Sequence, residues 1–438
     1  MRAELKKNIL CLFMVTFLLS ACKEEIDQGI DNLFEDKNYS ADINWPSSQN
    51  SNCPIWKAGE TVNVSASIVL PSNCTYNQVT FKITKPNIEF DCNGSVLNGL
   101  KQIGRHRFGD TYSASEAPRA IAFQISSAEA SSTRVQNVSI RNCQIINYIH
   151  GVDVKYELKT TTIAGLRQGL VSEDVLRRQA PTNVKVINSK IINSHGTGIY
   201  IYRYVSNFQL ENSSLKGSGG SGIYLDAGTE LANINYSIIE GNGFSTYDET
   251  TRIRSARRSD EAKREGIAID GSTQNTIESN SFKDNADGGI YLYKNCWENY
   301  TNTKEWPRLN GSNDNIIAKN SFFNETVGVW IAERADRDLA SFNCGDPLAL
   351  QEGSKKFYID YANATSVIKN KFDLNQTAIK VMDNNSVIEG NTFSRIDGYD
   401  IDVGSRVRAK IGNAISSTNI GSNTFSKINS VRFQYDSQ

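Results

Sequence analysis

The sequence predicts an all-β solenoid of short parallel strands, and three observations carry that prediction. A text of about 22–24 residues recurs along the chain, a period that suits one coil of three short strands with polar corners. The composition is rich in Asn, Ser, Ile and Gly yet holds only 8 Pro and 3 Met among 438 residues, which fits many strands joined by tight turns. No 3.6-residue apolar stripe appears, so helices are not the repeating unit.

The first residues are a targeting segment rather than part of the fold. Lys6 and Lys7 precede an apolar run, Ile9 to Leu19, that is too short to span a bilayer comfortably. It ends in Leu19-Ser20-Ala21-Cys22, which resembles the lipobox of bacterial lipoproteins. That resemblance implies cleavage before Cys22, lipidation of Cys22, and anchoring to a bacterial membrane in the cell envelope, facing the periplasm or the surface. Residues 1–21 then form a signal peptide, 22–44 a lipidated tether, and 45–438 one solenoid domain with an N-terminal cap.

Eight Cys occur in all. With Cys11 lost and Cys22 lipidated, six remain, and an exported protein permits disulfides. Cys53–Cys74 and Cys296–Cys344 are the expected pairs. Cys92 and Cys143 sit in strand-like text and read as small core residues, paired or not. No CxxC…CxxC spacing exists and only 3 His occur, so neither zinc nor copper is expected, and no cofactor is assigned. A weak calcium site from Asp226, Asp270 and Asp260 is conceivable but unsupported. The formal net charge of -1 gives no global signal for nucleic acid.

The repeat reads "VKVINSKIINSHGTGIYIY", "FQLENSSLKGSGGSGIYLD", "TIESNSFKDNADGGIYLY", "IIAKNSFFNETVGVWIA" and "SVIKNKFDLNQTAIKVM". Its alternating Ile, Val and Leu should fill a continuous core. Its recurring Asn (Asn142, Asn188, Asn212, Asn280, Asn320, Asn370) should stack at one corner. Over about residues 60–430 the pattern resembles the right-handed parallel β-helix of the pectin-lyase-like superfamily. That resemblance implies the fold strongly and the reaction weakly, because the superfamily holds lyases, hydrolases, epimerases and adhesins.

In each Gly-Ile-x-Ile-x strand the positions between the apolar residues should face outward. They form two rows: Asp153, Tyr200, Tyr224, Ala268, Tyr291, Trp330, Lys380, and Lys155, Tyr202, Asp226, Asp270, Tyr293, Ala332, Met382. Arg203, Lys294, Glu333 and Arg334 lie just beyond. Insertions at 157–180, 245–264, 295–310 and 335–361 fall beside the same strand and should wall a groove. Tyr200, Tyr202, Arg203, Tyr224, Trp330, Glu333 and Arg334 are the expected substrate-binding residues. As a purely structural feature, the aromatic row would simply stabilise the sheet.

Two mechanisms fit. On an acidic polysaccharide, Lys294 or Arg334 would neutralise a uronate carboxylate while Tyr291, Tyr293, Tyr202 or Lys294 removes the adjacent proton, giving elimination or epimerisation. The stretch Thr251–Arg264, with Arg252, Arg254, Arg257, Arg258, Lys263 and Arg264 against Asp260 and Glu261, favours an anionic partner. Alternatively Asp226 and Asp270, on neighbouring coils, would form the acid and nucleophile of a glycoside hydrolase, one of them protonated. The lyase or epimerase is the expected activity of a monomer. A non-catalytic glycan-binding or cell-surface structural protein is the alternative. The Asp-Pro-His-Asp type motif of bacterial alginate epimerases is absent.

Overall fold

Left-handed corner residues divide the chain into short strands. Asn188 and Asn212 (φ 49° and 48°) turn two successive coils at equivalent corners, a conformation Asn tolerates because its short amide bonds locally. The computed structural model describes residues 39–437 apart from 102–110, 132, 258, 260 and 261. Cys22, Arg258, Asp260, Glu261 and the signal segment lie outside the described residues.

Equivalent strands of successive coils pair in parallel, usually three apart in chain order and five apart where a hairpin intervenes, building sheets of 12, 11 and 10 strands along the solenoid. The fold is a right-handed parallel β-helix. The first sheet contains Ile199–Ile201, Ile223–Leu225, Ile267–Asp270, Gly288–Tyr293, Val327–Ile331 and Thr377–Val381. The Gly at the start of most of these strands is a packing requirement. A Cβ on Gly222 would meet the Gly266 carbonyl at 2.9 Å, and one on Gly289 the Gly328 carbonyl at 2.6 Å.

Ile199, Ile223, Ile267 and Ile290 are completely buried. In the third sheet Phe282, Phe322, Phe372 and Phe393 stack face to face at 4.8, 4.8 and 5.3 Å, close to the rise of about 4.8 Å between paired strands. The Asn ladder is real but offset from the sequence alignment. Asn280, Asn320, Asn370, Asn391 and Asn423 pass an amide hydrogen bond from coil to coil at 3.0–3.1 Å. Asn142, Asn188 and Asn212 instead occupy the preceding left-handed corner. The buried slot in those coils holds Cys143, Ser189 and Ser213, because "Asn-Ser" there places Ser, not Asn, in the interior.

Disulfides join Cys53–Cys74, Cys92–Cys143 and Cys296–Cys344. Upstream of residue 45, Tyr39 lies against Gly217 and Gly241, and Ile43 packs with Val96, Ile146 and Ile192. Part of the segment read as tether therefore packs on the solenoid. The insertion at 157–180 folds as two helices, Thr160–Arg167 and Glu173–Gln179. In the second, Glu173 and Asp174 in the first turn and Arg177 and Arg178 in the last complement the helix dipole. Ser245–Asp248 and Ile253–Ala256 make a hairpin, and Leu348–Glu352 with Lys355–Tyr358 another. Among the described residues no helix is long and apolar enough to cross a membrane.

Candidate functional site

The outward positions of the first sheet pair in one register: Asp153, Tyr200, Tyr224, Ala268, Tyr291, Trp330 and Lys380, continuing to Asp402 and Arg432. The second row holds through Asp270 and Tyr293. It ends at Ala332 and Met382, which join the interior core. The left-handed φ of 62° at Ala332 turns the chain out of the strand alternation.

At one end of this face the rings of His150, Tyr200 and Tyr224 stack at 5.8 and 4.9 Å. Rings stacked on one another along the solenoid cover each other's faces, so they stabilise the sheet and do not offer a flat platform to a sugar. His150 Nδ1 lies 2.9 Å from Asp153, and the Tyr202 hydroxyl donates to the same carboxylate at 3.3 Å.

Asp226 and Asp270 are neighbours but not the exposed acid pair expected. They are 2% and 0% exposed, and the Arg308 guanidinium binds both. Asp226 also accepts from Arg203 at 3.2 Å and Tyr200 at 3.4 Å. Asp270 accepts from Tyr224 at 2.5 Å and from the Asn295 amide and side chain at 3.0 and 2.8 Å. Burial opposes ionisation of Asp226, but the Arg203 and Arg308 charges outweigh it and hold its carboxyl below the usual range. This is a buried ion cluster in which one guanidinium engages both carboxylates. Arg203 is committed as well, to Asp226 and to Glu305 at 2.7 Å.

Tyr291 and Tyr293 are buried too, at 1% and 3% exposure. The Tyr291 hydroxyl donates to the Asp287 carbonyl at 2.7 Å, and that of Tyr293 to Glu265 at 3.2 Å. Burial raises both phenols well above their ordinary value, so neither is a ready base. Arg334 sits 4.4 Å from the centre of the Tyr293 ring and pairs with Glu333 at 3.0 Å. Lys294 points away to Asp346, at 2.7 Å. Buried Asp360 accepts the backbone N–H of both Lys294 and Arg334, at 2.6 and 2.8 Å, and ties these two loops together.

The strongest acid–base feature is one the sequence reading missed. Asp287 is partly buried, and burial, then the charges of Glu265 and Glu333, push its carboxyl up to about 7 against Arg264 and Lys263. Burial also raises Glu265. Both sit at the start of a strand, in "REGIAID" and "ADGGIYLY", where alternation had not yet begun. From Tyr291 the row continues to half-buried Trp330 and then Lys380, whose ammonium lies 3.9 Å from the Trp330 ring centre. Among the described residues Lys380 makes no ion pair, whereas Lys294, Arg203, Arg308 and Arg334 all do.

Among the described residues of the basic insertion, Arg254 and Arg257 are turned onto the protein rather than presented as a patch. Arg254 is buried against Ser245. Arg257 donates to the backbone of Ser245 and Ala262, and burial lowers it to about 10. These cations brace the hairpin because its outer strand leaves backbone carbonyls to be satisfied.

The family described as a right-handed β-helix region matches residues 131–344. No curated protein matches the chain. Among solved structures, the periplasmic alginate epimerase AlgG is similar at 13% identity over 85% of this chain and 74% of its own, with a TM-score of 0.47. DFA-IIIase from Arthrobacter chlorophenolicus is similar at 10% identity over 82% and 72%, with a TM-score of 0.44. The surface adhesin PfbA of Streptococcus pneumoniae is similar at 12% identity over 78% and 83%, with a TM-score of 0.42.

Proposed function

We propose that this protein is a carbohydrate-active enzyme that abstracts the proton beside the carboxylate of a polyuronate, as a lyase or epimerase. The observation that carries this reading is Asp287, whose carboxyl burial pushes up to about 7 at the start of the strand that bears Tyr291. On the next two coils the Tyr291 row continues to Trp330 and to Lys380, which makes no ion pair among the described residues. Lys380 would neutralise the uronate carboxylate, and Trp330 would floor the sugar. Ionised Asp287 would take the C5 proton. The electron pair then expels the C4 oxygen, or the carbon regains a proton on its opposite face.

Glycoside hydrolysis is the second reading, favoured by three carboxyls (Glu265, Asp287, Glu333) that feel one another's charge. Here Asp287 must be protonated, as the general acid. The pH profile separates the two. A base needs the carboxylate, so lyase or epimerase turnover rises with pH through about 7. An acid needs the proton, so hydrolysis falls over the same range.

Purified protein should be offered acidic polysaccharides while unsaturated product, C5 inversion and new reducing ends are followed in parallel. Asp287→Asn should abolish whichever signal appears. No signal with any substrate, or full activity in Asp287→Asn, would refute the assignment. Lipidation at Cys22 would hold this enzyme in the cell envelope, and Cys22→Ser should release it from membranes.

A further inference from the structure

The corner between the second and third sheets lies opposite the first sheet in each three-sided coil. There Tyr236, Ser237, Ile238, Lys319, Lys369 and Lys371, with intervening Ser and Asn residues, line a groove of about 570 Å³. Its residues come from four successive coils, paired through Ile238–Ser281–Ser321–Lys371. Three features set it apart from an ordinary polar corner. Tyr236 (62% exposed) and Ile238 (42% exposed) are large apolar side chains facing water. Tyr236, Lys319 and Lys369 occupy the left-handed corner at φ 50°, 54° and 56°, a slot that Asn188 and Asn212 fill two coils and one coil before Tyr236. A large side chain there is less favourable than Asn, though Leu231, Leu374 and Arg395 take the same conformation at other corners. Lys319 is paired with Glu278 at 2.5 Å, but among the described residues Lys369 and Lys371 make no ion pair.

We propose that this corner groove is a second binding site for an anionic polysaccharide, separate from the face that carries Asp287. The inference rests on the reading of the substrate as a polyuronate and extends it. Lys319 and Lys369 stand on adjacent coils, about 4.8 Å apart along the axis. A polyuronate laid parallel to the axis would bring carboxylates past Lys369 and Lys371 and a sugar ring onto Tyr236. Because the groove and the first sheet face opposite ways, a chain held at the corner leaves the first sheet free for another chain or a distant stretch of the same one. The site would tether the enzyme to an insoluble glycan.

The test is retention of the full mature chain on alginate and polygalacturonate beads, at low and high salt. Wild type, Lys369→Ala/Lys371→Ala, Tyr236→Ala and Lys380→Ala are compared, with thermal melts confirming the fold. The lysine double variant is expected to bind about tenfold more weakly, with turnover of short soluble oligouronates unchanged. Lys380→Ala should lose turnover and keep its retention. Equal retention of wild type and the lysine double variant would overturn the site, as would a wild type that binds neither bead. Retention that depends on the lysines, without any turnover, would support the site while refuting the enzymatic reading.

Discussion

Arg308 is the most informative residue to remove. Its guanidinium bridges two carboxylates that are 2% and 0% exposed. Arg308→Met preserves bulk and deletes the charge. Asp226 keeps Arg203, but Asp270 keeps only neutral donors, from Tyr224 and Asn295. Two like charges then share an interior site with one cation in place of two. Breaking a buried pair from one side costs about 3–5 kcal/mol, and that is the expected loss at neutral pH in urea or guanidinium denaturation. The penalty comes from an uncompensated carboxylate. Adding Asp270→Asn should recover a large part of it. A loss below about 1 kcal/mol, or a double variant no more stable than the single, would mean the cluster is not the electrostatic unit described here.

Further expectations follow from the same geometry. Phe322→Ala interrupts the stacked Phe column at full burial and should cost about 3–5 kcal/mol, read from denaturation midpoints. Asn320→Ala leaves the Asn280 amide and the Asn370 carbonyl oxygen without their ladder partner, a loss of about 2–5 kcal/mol in the same assay. Asp287 is raised in the folded state from 3.8 to about 7, so the folded state holds its proton more tightly than the unfolded state does. Stability from this group is therefore full below the unfolded value and is lost as pH rises towards 7, by up to about 4 kcal/mol. Asp287→Asn should flatten that slope, and an unchanged slope would show that its carboxyl is not perturbed. Opening Cys296–Cys344 with a Cys296→Ala/Cys344→Ala pair should loosen the two loops beside Lys294 and Arg334 and raise KM more than it lowers kcat.

The linear text determined the solenoid. The period, the recurring Gly and the alternation of Ile with polar residues are local consequences of coil geometry, so even the register of the outward row from Asp153 to Lys380 was legible. Only the tertiary structure decided which outward residues face solvent. Tyr291 lies buried against the start of its own strand, because its hydroxyl seeks the Asp287 carbonyl. Asp226 and Asp270 sink beneath Arg308, which arrives from an insertion whose path no periodicity encodes. Glu265 and Asp287 owe their raised values to burial first and then to the charge of Glu333, with Glu265 also acting on Asp287. Repetition writes backbone position into sequence. Burial and charge at a site are set by loops that break the repeat, and those meet only once the chain has coiled.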